Sequence, residues 1–142
     1  MSVPKRKRGV SKMQFVDTAR ELEAHALSVC ARAPKRYTPF LTKGIMELAS
    51  EVHNHVRAAN NIVPANQHEA QMRRDHLIEG NNALQNLDPK LQLLYDGLLK
   101  NPEQHPWADR AMEEFGRLIA GEAKLIASVK KSDRERYRNL PP

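Results

Sequence analysis

The residues best suited to chemistry are cations, and they gather at the two ends of the sequence. Residues 1–12 hold Lys5, Arg6, Lys7, Arg8 and Lys12 with no acid, a charge of +5. Residues 130–142 hold Lys130, Lys131, Arg134, Arg136 and Arg138 against Asp133 and Glu135, a charge of +3. Taking that +8 from the chain's net +6 leaves −2 for residues 13–129, so an acidic-neutral body carries basic ends. Each Lys or Arg that neutralises a backbone phosphate releases a counterion, and such arms point to RNA or DNA. Solubility is the competing account, but five cations in twelve residues exceed what solubility requires. The Pro4-Lys5-Arg6-Lys7-Arg8 string also has the form of a nuclear import signal, a pattern that short basic runs match by chance.

Three further groups extend the candidate binding surface. Tyr137 stands between Arg136 and Arg138, where a ring could stack on a base while two guanidinium groups hold phosphate. The alternative is one more helical turn, with Asp133 and Glu135 compensating the arginines. Arg73 and Arg74 near the start of a third helix, with Arg57 near the end of a second, either join the patch or pair with Glu69, Asp75 and Glu51. The chain has only seven aromatic side chains, which favours recognition of backbone and shape over reading by stacking.

Enzyme chemistry finds little support, and no catalytic residue, metal or cofactor is assigned. No Glu is followed three residues later by His, the spacing of di-iron helices. Glu21 with His25 and Glu51 with His55 fall four apart, where a surface carboxylate–imidazole pair is the simpler reading than a metal site. Cys30, the only cysteine, excludes an internal disulfide and sits late in a helix, where a packed thiol is expected rather than a reactive one. Phosphate-cradling glycine loops and nucleophile elbows are missing from the sequence.

The elements that must position these groups are helices. Ala and Leu total 31 residues against 16 for Val, Ile and Thr. Ser11 and Gln14 have capping-box spacing, and Phe15, Ala19, Leu22, Ala26, Val29 and Ala33 form a seam that Pro34 ends. Thr38-Pro39 reads as an N-cap with proline at the first helical position. A seam of Leu41, Ile45, Leu48, Val52, Val56, Ala59 and Val63 follows, stopping near Pro64. Asn66 and Glu69 open a third helix with Leu77, Leu84, Leu87, Leu91, Leu94 and Leu98. The leucine register runs through Asp88-Pro89, so a kinked or re-capped continuation is expected there, not a reversal. Residues 100–107 read as loop, and a fourth helix from Ala108 carries Ala111, Phe115, Leu118, Leu125 and Val129, fraying after Arg138.

The expected fold is all-α, an up-down-up-down four-helix bundle with basic N- and C-terminal extensions. Residues 1–10 form a flexible basic arm, 11–138 the bundle and 139–142 a disordered tail. In that topology both basic ends fall at one end of the bundle. No apolar run reaches the roughly 20 residues of a membrane span, and no secretory signal is legible, so a cytoplasmic protein with no membrane partner is expected.

The segments FVDTAREL from Phe15, PKRYTPFL from Pro34, VRAANNIVPAN from Val56, EAQMRRDHLIEGNNALQ from Glu69 and SDRERY from Ser132 resemble a bacterial four-helix-bundle family. That family joins proteins encoded by intervening sequences of 23S ribosomal RNA genes to the accessory variability determinant of diversity-generating retroelements. The resemblance covers nearly the whole chain, and its motifs are packing and turn patterns more than chemistry. It implies a homopentamer with a basic surface for RNA or DNA and, in the retroelement branch, partnership with a reverse transcriptase in mutagenic retrotransposition. Lys35, Arg36, Arg57, Arg73, Arg74, Arg134 and Arg136 lie in the matching segments and are the cations it would assign to nucleic acid. The Asp88-Pro89 step and the loop at 100–107 depart from the family's pattern. An oligomeric protein-interaction scaffold without nucleic-acid contact is the alternative, motivated by the −2 body and the alanine-rich helices.

Overall fold

The computed structural model describes the chain from residue 3 and its side chains from residue 13 to residue 142. The fold is all-α, with helices α1 (Val3–Arg32), α2 (Lys43–Asn61), α3 (Gln67–Leu98) and α4 (Ala108–Arg136) and no strand among the described residues. α1 already runs through residues 3–11, so these residues continue the first helix instead of forming a separate arm, and Ser11 lies inside the helix and not at its cap. The roles given to Lys5, Arg6, Lys7, Arg8 and Lys12 rest on side chains outside the described residues.

Each helix stops where its sequence forbids continuation. Pro34 follows α1 closely, and Pro64 follows α2, whose backbone has already turned extended at Ile62. Asn66 caps α3: its side chain accepts the Glu69 N–H at 2.8 Å, and the Glu69 carboxylate reaches back to the Ala65 N–H at 2.7 Å. The Thr38 cap does not form. Thr38 is already in the right-handed helical region at φ −53° and ψ −54°, whereas a capping residue needs extended backbone. Thr38–Thr42 instead makes one π turn leading into α2.

Pro89 sits inside α3 without ending it. Asp88, Pro89 and Lys90 are exposed, and so is Gln85, whose carbonyl loses its N–H partner to the proline. The break therefore falls on the exposed side of α3, while Leu84, Leu87, Leu91 and Leu94 stay buried.

The core joins Phe15, Leu22 and Val29 of α1, Val52 and Val56 of α2, the α3 leucines, and Phe115, Leu118 and Ile126 of α4. Several seam positions differ from the periodic reading: Leu41, Leu125 and Val129 are only partly buried, and Ile126 takes the core place beside Leu125. Val63 is 82% exposed because the chain leaves the helix at Asn61, and Ala49 takes a buried place while Leu48 is half-buried. Glu122 fills a core position between Leu118 and Ile126, fully buried.

α1 packs against α2 and α4, and α3 against the same two helices. Along each contact, partner numbers fall as residue numbers rise. Glu23 meets Ser50 and His53, while Cys30 meets Thr42. Arg73 bonds the Ala59 carbonyl, while Gly80 lies against Val52 and Val56. Arg73 also meets Asp133, while Tyr95 meets Asp109. His25 meets Ala111, while Arg32 lies over Trp107.

Candidate nucleic-acid interface

The first turns of α3 and the last turns of α4 enclose a cleft of about 170 Å³. Helical spacing supplies its cations: Lys130 and Arg134 are four residues apart on one face of α4, and Arg138 is four further on, just past the helix end. Arg74 faces them from α3, Tyr137 closes one side, and Asp133 is the acid in the lining.

That acid is neutralised from behind. The Arg73 guanidinium grips the Asp133 carboxylate with Nε at 2.6 Å and Nη2 at 3.2 Å. Its Nη1 donates to the Ala59 and Ile62 carbonyls at 2.9 and 3.2 Å. Arg73 is only 8% exposed, so its donors are spent on tying α3 to α4 and to the end of α2. Arg74, one residue on, points about 100° away and keeps its charge for the cleft.

Of the cations picked out by sequence, the structure thus brings together Arg74, Lys130, Arg134 and Arg138, with Tyr137 among them. Arg136 lies on the other side of Tyr137 and lines a separate groove with Phe15, Asn60 and Val63. The Tyr137 ring already has the Arg73 and Arg136 guanidinium carbons 5.9 Å from its centroid. Lys131 is exposed on α4 outside the cleft lining, and Arg57 is exposed on α2, close enough to Glu23 to help hold that carboxyl's pKa down. Lys35 and Arg36 are remote. Their turn is fixed by Tyr37, which packs against Gly97, 23 residues along α3 from Arg74. At 1.5 Å per residue that is about 35 Å.

The histidines near carboxylates find other partners. His25 Nε2 lies 3.0 Å from the Ala111 carbonyl, and His55 pairs with His76, Nδ1 to Nδ1 at 3.1 Å. Glu23 joins Ser50 and His53, and chiefly the Ser50 hydroxyl lowers its carboxyl pKa. The Cys30 thiol is pushed up to about 11 by burial and donates weakly to the Thr42 carbonyl.

Two further residues escaped the reading of the sequence. Gln67, the first residue of α3, holds the end of the chain: the carbonyl oxygens of Tyr137, Arg138 and Leu140 lie 2.9, 3.1 and 3.0 Å from its side-chain amide nitrogen and share that group's two N–H donors. Its backbone N–H donates to the Pro141 carbonyl at 2.8 Å. Residues 139–142, expected to be disordered, therefore run against the start of α3. Glu122 is the other. Its seam spacing of four from Leu118 and from Ile126 was a legible signal. Compared with known proteins, the chain matches no protein family, no curated protein and no solved structure.

Proposed function

We propose that this protein is a non-enzymatic nucleic-acid-binding accessory protein, an up-down-up-down four-helix bundle with basic extensions. The opposed residue order along every helix contact supports that topology. The observation that carries the function is the cleft in which Arg74, Lys130, Arg134 and Arg138 converge while Asp133 is neutralised by Arg73. Four cations without a free acid among them suit phosphate, which guanidinium groups take in bidentate fashion. The family resemblance supplies the remainder of the reading: template RNA or cDNA as ligand, a reverse transcriptase as partner, a homopentamer as assembly, and the bacterial or phage-infected cytoplasm as its place.

The test is binding of labelled structured RNA and duplex DNA at about 50 and 200 mM salt, a range over which six to ten phosphate contacts cost roughly 10³- to 10⁵-fold in affinity. A variant with Gln at positions 74, 130, 134 and 138 should bind more weakly, with a salt slope reduced by about 0.9 per lost contact on duplex DNA. An unchanged slope refutes the reading.

A scaffold without nucleic-acid contact is the second reading, favoured by Leu27, which is 60% exposed beside a largely apolar groove between α1 and α2. It expects a defined oligomer that Leu27→Glu dissolves, read by light scattering, with no salt-sensitive binding.

A further inference from the structure

α4 ends at Arg136, and the backbone of Tyr137 has left helical geometry, at φ −105° and ψ 13°. Arg138 lies beyond the last helical residue, so no helical ladder fixes it. What fixes it is Gln67. Its side-chain amide nitrogen lies within hydrogen-bond distance of three carbonyl oxygens, that of Arg138 among them, which share its two N–H donors, and the same residue's backbone N–H donates to a fourth at Pro141. The N–H of a first helical residue has no partner within its own helix, so the chain end satisfies a donor that α3 would otherwise leave to water. The exchange joins the start of α3, which carries Arg74, to the end of α4, which carries Lys130 and Arg134. Gln67 itself lines the cleft beside them.

We propose that Gln67 is a positioning residue for anion binding: by pinning the Tyr137–Pro141 segment it holds Arg138 in the cleft, where its guanidinium completes a four-cation cradle for nucleic-acid phosphate. The inference rests on the reading of the cleft as a phosphate site. Preorganisation is the physical basis. A cation on a free chain end must be ordered when it binds, and that cost is subtracted from the contact; a pinned one has already been ordered on folding.

The experiment compares the full-length protein with Gln67→Ala, Arg138→Gln and the double variant, measuring duplex DNA affinity across a salt series. One duplex phosphate contact is worth about 0.9 in slope, or about eightfold in affinity near 0.1 M salt. Gln67→Ala removes no charge, yet it should lose up to that eightfold and lower the slope toward that of Arg138→Gln. The double variant should be no weaker than Arg138→Gln alone. Gln67 is exposed, and melting by circular dichroism checks that each variant is folded.

If Arg138→Gln weakens binding while Gln67→Ala binds like the parent, the positioning role is overturned and the phosphate reading survives. Additive losses also overturn it, since Gln67 would then act apart from Arg138. If neither variant changes binding and the variant with Gln at 74, 130, 134 and 138 binds normally too, the phosphate site falls and the positioning role with it.

Discussion

Replacing Glu122 with Gln should stabilise the protein at neutral pH and leave it nearly unchanged in mild acid. Glu122 is fully buried, and neither carboxylate oxygen has a hydrogen-bond partner. Burial disfavours the charged form and pushes its pKa up from 4.5 to about 9. Below pH 4.5 both folded and unfolded chains hold the proton, so the group has no linkage effect. Between 4.5 and about 9 only the folded chain holds it, and stability falls by about 1.36 kcal/mol per pH unit. At pH 7 this amounts to about 3 kcal/mol, a large share of the roughly 5–15 kcal/mol that holds a domain together. Glutamine keeps the shape without the titration. Urea unfolding of the parent and Glu122→Gln at pH 5 and pH 8 should therefore show the advantage of the variant growing by about 4 kcal/mol between the two conditions. Comparing the two proteins cancels every other titrating group. An advantage that differs by less than about 1 kcal/mol between the two pH values would refute the assignment of a buried, protonated carboxyl.

Other expectations follow from individual contacts. A Cβ at Gly80 meets His55 and Val56 at ordinary distances of 3.5 and 3.6 Å, so Gly80→Ala should stabilise by about 0.5–1 kcal/mol through helix propensity. A Cβ at Gly97 would come within 2.8 Å of the Tyr37 hydroxyl, so Gly97→Ala should cost about 1 kcal/mol and loosen the turn at Lys35–Tyr37; opposite shifts in melting temperature check the pair. Asp133→Ala strands a buried Arg73 and should cost about 3 kcal/mol in urea unfolding, whereas a surface pair would cost almost nothing. With its thiol near 11, half-buried Cys30 is about one part in a thousand thiolate at pH 8, and iodoacetamide should label it much more slowly in the folded protein than after denaturation; equal rates would contradict the raised pKa.

How much of this was legible in the sequence depended on the range of the interactions. The seams of α1 and α3 were readable because burial there follows the helical period alone, and the Asn66–Glu69 cap because its partners are three residues apart. Val63 continues the helical period past the point where the backbone leaves α2, so periodicity alone puts it in the core. At Thr38 the following proline permits a cap but does not impose extended backbone on the residue before it. Glu122 has the spacing of a core residue and the chemical type of a surface one. Arg73 and Arg74 could not be told apart at all. They are identical neighbours in sequence, and what separates them is Asp133, 60 residues away.

That separation explains why the cleft is positive. Lys130 and Arg134 are like charges four apart within α4, an arrangement that destabilises a helix by a few tenths of a kcal/mol, and Arg138 adds a third just past its end. Their position at the end of α4 offsets part of this, because the C-terminal dipole favours cations. Asp133 would offset the rest if it were free, and a free Asp133 would also make the cleft a poor site for an anion. Binding it to Arg73 removes it from that role and uses Arg73 up in the core. The cations left in the cleft line one small space, and charges closer than the Debye length of about 8 Å at physiological salt repel with little screening. On the phosphate reading proposed above, an anion from outside would relieve that repulsion, and the Arg73–Asp133 pair is what leaves the four cations without an acid of their own in the cleft.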